Sequence, residues 1–275
     1  MQILITNDDG IDSAGLAAMA RAASRRGHEI LVVAPDHPSS GASASIGMRL
    51  QHGQPIFQQE HPLGMPDGVR CLVAEATPAQ IVYLAAQGEF GKPPAMVLSG
   101  INCGVNTGRA IIHSGTVGVA LTASILGIRT MAVSVAGTDP EHWGTAEDVT
   151  VRVMEWVEFQ PSDGRILNVN IPDLPMDRVR GFRAAPLAVF GSVQAADVDF
   201  PEDPVSDVRR VAVQYEPGFA RLEPGTDHYL VERGWATATM LRGLTDDFSG
   251  VTLPSYDQIS PLYSRRHSVS QPWSD

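Results

Sequence analysis

Lysine is almost missing from this chain. Lys92 is the only one, and arginine carries nearly all the remaining positive charge. That scarcity excludes any mechanism needing a lysine at another fixed place. Cysteine is almost as rare. Cys71 and Cys103 are too few for a disulfide framework, which fits a reduced, cytoplasmic setting. No stretch reaches the roughly 18 uncharged apolar residues of a membrane helix. The N-terminus has no basic segment followed by an apolar one, so no signal peptide or membrane span is expected. No basic run is long enough to track a nucleic-acid backbone, and the net charge is −11, so no nucleic-acid partner is expected. A protein this acidic that handles an anion needs a cation or local donors to offset its own field.

Apolar residues are plentiful, 43% of 275, which is enough for one large domain or two small ones with a sizeable core. QILIT (2–6) reads as a buried strand. Ser13 is a candidate N-cap, Leu16, Met19, Ala20 and Ala23 follow at helical spacing, and Gly27 is a natural stop. HEILVVAPD (28–36) reads as a second strand. Strand, helix and strand within 36 residues make a βαβ unit and so imply a parallel sheet. The pattern continues with a helix from Pro78 to about Ala86, a strand over 94–100 and a small-residue helix over 115–126 ended by Gly127. A strand over 130–135 comes next. Thr145 and Asp148 resemble a capping box opening a helix with inner face Val149, Val153, Trp156 and Val157, and a strand follows over 166–171. After about residue 186 the texture changes. FPEDPVSDVRR is acidic, while RRVAVQYE and HYLVERGWATATML look like antiparallel strands or a hairpin arm. We therefore expect a single α/β domain over 1–250, with a core of about 1–186, an arm of about 187–250 and a loosely ordered tail over 251–275.

In an open parallel sheet, ligands collect at the carboxyl ends of the strands. The first strand ends in Asn7-Asp8-Asp9-Gly10. The second runs into Asp36-His37-Pro38-Ser39-Ser40-Gly41-Ala42-Ser43. The 94–100 strand runs into Gly100-Ile101-Asn102-Cys103-Gly104-Val105-Asn106-Thr107-Gly108, and His113-Ser114-Gly115-Thr116 opens the next helix. Each cluster alone has a plain reading: Asp-Asp-Gly as a turn, the serines as a loop, the asparagines as left-handed backbone positions, Ser114 as an N-cap. Together they bring carboxylates, hydroxyls and amides to one sheet edge, the oxygen ligands a hard divalent cation takes. Asp8 and Asp9 supply the charge, with Ser40 and Asn102 as neutral oxygens. Gly41, Ser43, Ser114, Gly115 and Thr116 offer amides and hydroxyls to a phosphate, the last three at a helix N-terminus. A metal that neutralises phosphoryl charge and lowers the pKa of water would make this a phosphate-ester hydrolase. Cys103 has no paired cysteine for a thiolate metal site. His113 reads equally as a general acid or as a packed side chain, and His37 as exposed loop.

ITNDDGIDSAGL, VVAPDHPSSGASAS, VLSGINCGVNTG and HSGTVGVAL, in that order and with LNVNIP and VERGWATAT later, resemble the SurE family of metal-dependent 5′/3′-nucleotidases over roughly residues 1–245. The resemblance implies a Rossmann-like three-layer αβα core. It implies one divalent cation per subunit, Mg²⁺ or Mn²⁺ with Co²⁺ as a further candidate, held by Asp8, Asp9, Ser40 and Asn102. Ser39 is the neighbouring candidate for the hydroxyl ligand. Asp8, Asp9 and Asn102 match the catalytic set, and Asn106, Ser114, Gly115 and Thr116 match the phosphate side. The implied activity removes phosphate from nucleoside 5′- and 3′-monophosphates through metal-activated water, with a side activity on short polyphosphate. The implied assembly is a homodimer or homotetramer built by exchange of C-terminal segments. Two stretches depart from the family pattern. Ala76-Thr77-Pro78-Ala79-Gln80-Ile81 stands where the family often has Gly-Thr-Pro-Ala-Asp-Cys, and Ala184-Ala185-Pro186-Leu187-Ala188-Val189 stands where it often has an Arg-Arg stretch. The second removes a cationic contact and keeps open a catalytically weak nucleotide- or phosphometabolite-binding protein on the same fold.

Three rivals fail on residues. A receiver domain needs a phosphoacceptor aspartate after its third strand and a lysine after its fifth, but Asn102 and the lone Lys92 supply neither. An aspartyl-nucleophile phosphatase needs Asp-x-Asp-Gly-Thr, which Asp8-Asp9-Gly10-Ile11 is not. A dinucleotide binder needs G-x-G-x-x-G after the first strand, and none is there.

Overall fold

The computed structural model describes residues 1–192 and 222–244. The chain begins with β1 (Gln2–Thr6), α1 (Ala14–Ser24) and β2 (Glu29–Pro35). A two-stranded ribbon of β3 (Leu50–Gln51) and β4 (Gln54–Pro55) follows, then β5 (Phe57–Glu60), β6 (Arg70–Ala74) and α2 (Pro78–Gln87). The second half holds β7 (Met96–Cys103), a 3-10 turn (Gly108–His113), α3 (Gly115–Ile125), β8 (Arg129–Val135), α4 (Trp143–Glu158), β9 (Arg165–Ile171), β10 (Phe182–Ala184), α5 (Asp227–Val231) and β11 (Ala236–Arg242).

Nine of the described strands form one sheet in the order β10-β11-β9-β8-β7-β1-β2-β6-β5. The central six, β9 through β6, run parallel, while β5 pairs antiparallel with β6 and β11 antiparallel with β9. Parallel strands need crossovers, and the crossovers place helices on both faces. Leu16 and Met19 of α1 and Val149 and Val153 of α4 pack with Ile3, Ile5 and Leu98 on one face. Ile81 and Val82 of α2 and Val119 and Ala123 of α3 pack with Leu4, Val33 and Val97 on the other. Ile3, Leu4 and Ile5 are consecutive and all fully buried, which is why β1 reads as an unbroken apolar run rather than an alternating one. The architecture is the Rossmann-like α/β fold expected.

From β1 the chain steps outward through β2 to β6, then returns to β7 on the other side of β1 and steps out through β8 and β9. The reversal lies between β1 and β7. Thr6 stands opposite Ser99 in that pair, so the residues after Thr6 and after Ser99 leave the sheet side by side at its carboxyl edge.

Several local expectations shift. α4 begins at Trp143 rather than at a Thr145 capping box. The carboxylate of Asp173 takes the amides of Glu141 and His142 at 3.0 and 2.8 Å, so a tertiary contact fixes the chain entering the helix. Trp156 is not on the inner face. It is 47% exposed, and the buried stripe is Ala146, Val149, Val153 and Val157. β5 and β6 are not among the expected elements; FQQE is a polar edge strand without an apolar run. HYLVERGWATATML divides into the helix α5 and the strand β11, which joins the main sheet. The acidic stretch 200–210, RRVAVQYE at 209–216, most of the expected arm and the whole tail over 251–275 lie outside the described residues. Among the described residues no helix is long and apolar enough to cross a membrane.

Candidate active site

The end of β1 is built to hold Asp8 and Asp9 in place. Asn7 donates its side-chain amide to the carbonyl of Gly10 at 3.1 Å and to Oγ of Ser13 at 2.7 Å. The same Ser13 oxygen caps α1 by accepting the N–H of Leu16 at 3.2 Å, as its sequence position suggested. Gly10 takes φ +96°, a conformation that lets the turn close without a side-chain clash.

Asp8 is 3% exposed. Its Oδ1 accepts the hydroxyl of Thr116 at 2.7 Å. The backbone N–H groups of Gly115 and Thr116, at the start of α3, also favour its ionised form, but burial outweighs them and holds the carboxyl above its ordinary range. Asp9 is less well served. Among the described residues its buried Oδ2 has no hydrogen-bond partner. Burial first, and the Asp8 charge second, push it up to about 7. Among the described residues no cationic side chain offsets either carboxyl.

The neighbouring loops close around this pair. The N–H of Ser39 donates to the backbone carbonyl of Asp8 at 2.7 Å, and the Ser39 hydroxyl is buried without a partner. Ser40, the hydroxyl matched by spacing, is the next residue and is partly exposed. Ser43 donates its hydroxyl to the carbonyl of Ile112 at 2.6 Å. A Cβ on Gly118 would lie 2.1 Å from the Ser43 carbonyl oxygen, so the loop carrying Gly41 and Ser43 lies flat on α3. Ser114 caps α3 by accepting the N–H of Val117 at 3.1 Å.

From β7, an irregularity in the pairing with β8 between Ser99 and Asn102 precedes Asn102 at the carboxyl edge. The Asn102 side-chain nitrogen is committed to the carbonyls of Gly104 (2.6 Å) and Cys103 (3.3 Å), which leaves its oxygen as the atom for a ligand. Asn106 is 1% exposed and sits in a polar network that sequence reading missed. Its amide donates to Oγ of Ser134 at 2.9 Å, its N–H donates to Oδ1 of Asn170 at 2.7 Å, and its carbonyl accepts from Asn168 at 2.9 Å and Asn170 at 2.8 Å. The signal was present. Two asparagines two apart on an otherwise apolar strand face the same side, and buried amides demand partners.

All four clusters thus meet at one edge, at the reversal point of the sheet. His113 does not join them by any hydrogen bond and is exposed, as is His37, which pairs with Asp36 at 2.7 Å. Burial pushes the Cys103 thiol up to about 11, with Asp9 and Asp139 adding, so it stays protonated. Among the described residues no three His, Cys, Asp or Glu side chains cluster as a metal site. The donor set offered is two carboxylates, hydroxyls and an amide oxygen, all hard oxygen ligands. Two buried carboxyls held above their ordinary range, one with an oxygen that has no partner among the described residues, stand beside hydroxyl and amide oxygens, so the residues fit a divalent cation.

The sign of the resulting pH dependence is fixed. A carboxyl whose pKa is higher in the fold than in the unfolded chain stabilises only while protonated, so its contribution is lost as pH rises through the folded value. With chelator present, the melting temperature of the wild type relative to Asp9→Asn should fall between the ordinary carboxylate pKa, 3.8, and about 7. Added divalent cation should reverse the deficit at the upper end. A difference that stays flat across this window would mean Asp9 is not an uncompensated charge.

The family model described as survival protein SurE matches residues 3–211. The 5′-nucleotidase SurE of Halorhodospira halophila is 37% identical over 247 residues, covering 88% of this chain and 92% of that protein. The 5′/3′-nucleotidase SurE of Serratia proteamaculans is 36% identical over 248 residues, 88% of this chain and 90% of that one. The crystal structure of the SurE protein from Aquifex aeolicus superposes with a TM-score of 0.70 at 27% identity, covering 96% of this chain and all of that one.

Proposed function

The chain belongs to the SurE family, and from that premise we propose that it is a nucleotidase, a phosphomonoester hydrolase releasing phosphate from nucleoside 5′- and 3′-monophosphates with a divalent cation. The observation that supports the metal-dependent reading most is the buried Asp8–Asp9 pair. Among the described residues no cationic side chain pairs with it, and it lies beside the start of α3, at the reversal point of a parallel sheet.

Asp8, Asp9, Ser40 and Asn102 hold the cation, Mg²⁺ or Mn²⁺ by preference. When bound it neutralises phosphoryl charge and lowers the pKa of water. The protein's own groups do the rest. Thr116 and the first amides of α3 fix the Asp8 carboxylate, so the positive end of that helix serves the anchor as well as the substrate. Asp9, with an oxygen free of protein partners, orients the attacking water. The substrate phosphate lies against Asn106, Ser114, Gly115 and Thr116, where helix amides favour negative charge. Asn106 contributes mainly as a rigid wall, since its amide nitrogen is already given to Ser134.

The deciding experiment is phosphate release from a panel of 5′- and 3′-nucleotides with Mg²⁺, Mn²⁺ or Co²⁺, and with EDTA. Release with metal and none with EDTA is expected. If nucleotide binds but no metal supports release, the chain is a binding protein on a nucleotidase fold, the reading that the missing Arg-Arg stretch at 184–189 keeps open.

A further inference from the structure

The loop from Gly104 to Gly108, which joins Asn102 and Asn106 to the rest of the site, is gripped from two sides. One grip is the asparagine pair of β9 on Asn106. The other comes from the far end of the chain. Asp227, the first residue of α5, is fully buried. Its Oδ2 accepts the N–H of Gly108 at 2.9 Å, and its Oδ1 accepts the N–H groups of Ala188 at 2.9 Å and His228 at 2.8 Å. The next side chain repeats the contact, with Nδ1 of His228 2.8 Å from Oγ1 of Thr107. Thr107 in turn receives the N–H of Ser192 at 3.1 Å and donates its own N–H to the Ser192 carbonyl at 3.0 Å. The approach is so close that a Cβ on Gly191 would lie 1.7 Å from the Thr107 carbonyl oxygen.

We infer that Asp227 is a positioning residue for the reaction, clamping the Gly104–Gly108 loop so that Asn102 and Asn106 face the metal and phosphate positions. The assignment rests on the proposed function for what the loop does, but not for the clamp itself. Three backbone donors converge on one buried carboxylate, and removing it leaves all three without an acceptor, which costs more than the bonds themselves contribute. Gly108 is the donor that matters to the site, because it lies two residues after Asn106. Asp227 touches no reacting group. It acts through the loop, and it makes α5 part of the site's construction.

The test uses full-length Asp227→Asn, with Thr107→Val as a second, milder variant should the first fail to fold. Hydrogen exchange read by mass spectrometry needs neither metal nor substrate. Peptides spanning 104–109 should exchange at least about 10-fold faster in Asp227→Asn, with β1 and β2 unchanged, and Thr107→Val should give a smaller rise in the same peptides. Mn²⁺ affinity by calorimetry should weaken by about 10–100-fold, the range set by loss of a metal site's supporting contacts. Unchanged exchange in 104–109, or acceleration spread evenly over the fold with Mn²⁺ affinity intact, overturns the clamp. Should the wild type release no phosphate from any nucleotide, only the proposed function is lost, because the exchange result still decides the clamp.

Discussion

Asp9→Asn is expected to abolish metal-supported phosphate release while making the metal-free protein more stable near neutral pH. The two effects share one cause. Burial and the Asp8 charge hold the Asp9 carboxyl up to about 7, so above that value its ionised form is a buried charge beside the Asp8 carboxyl in the metal-free protein. An amide of the same shape removes one charge and keeps the packing. The like-charge cost disappears, and the melting temperature in EDTA should rise at about pH 8. In the proposed metal site the same change removes one of two anionic ligands. Turnover should fall by more than the ~10–100-fold that loss of a supporting contact around a metal brings. Asp8→Asn should separate the two readouts. Its Oδ1 accepts from Thr116, and the amides of Gly115 and Thr116 also face its carboxylate. An amide nitrogen placed there would meet donors with a donor, so this variant should lose activity and stability together. If Asp9→Asn kept near-normal turnover at saturating Mg²⁺ or Mn²⁺, Asp9 would be neither a ligand nor the group that orients water.

The opposite behaviour expected of two adjacent aspartates marks how far the residues alone could carry the reading. Asn7-Asp8-Asp9-Gly10 could be placed at a strand's carboxyl end from periodicity, because a buried parallel strand is an unbroken apolar run and the polar residues after it stand out. The order of the strands could not be read that way. The reversal between β1 and β7, which sets Asp8 and Asp9 beside Asn102, is a long-range fact of the sheet. Ser114 was legible as an N-cap because its partner is three residues away. Thr116 as the partner of Asp8 was not, since 108 residues separate them. Asn168, Asn170 and Asp227 show the same limit. Each holds the site loop by bonds to backbone groups; the spacing of the two asparagines says that they need partners, but no local pattern says which residue's N–H or carbonyl supplies them. Trp156 and the start of α4 failed for a related reason. Helical spacing admits either side of a stripe, and Asp173, from beyond β9, sets where the chain enters the helix.

Gly115→Ala should cost activity about as heavily as losing a first ligand, and by geometry alone. Gly115 has ordinary helical backbone, so no conformational penalty attaches to alanine there. Helix propensity favours the change, though by less at this first helical position than the ~1 kcal/mol of a helix interior. The obstacle is Asp8. A Cβ on Gly115 would sit 2.6 Å from Oδ2, 2.8 Å from Cβ and 2.8 Å from Cγ of that side chain, closer than real contacts allow. Either the carboxylate or the start of α3 must move. Asp8 is held by Thr116 and by the Ser39 amide at its own carbonyl, so the displacement falls on the aligned oxygens of the site. A shift near 1 Å in such a constellation costs about 100-fold in rate. Gly144→Ala is the matched control. Gly144 lies in the first turn of α4 with nothing within 4 Å of its would-be Cβ, so the same exchange there should leave turnover unchanged and stability equal or higher. If Gly115→Ala matched Gly144→Ala in kcat/KM, the contact between α3 and Asp8 would not be what sets the proposed metal site. If it lost activity with an unchanged melting temperature, the missing side chain at residue 115 would be explained by the site and not by the fold.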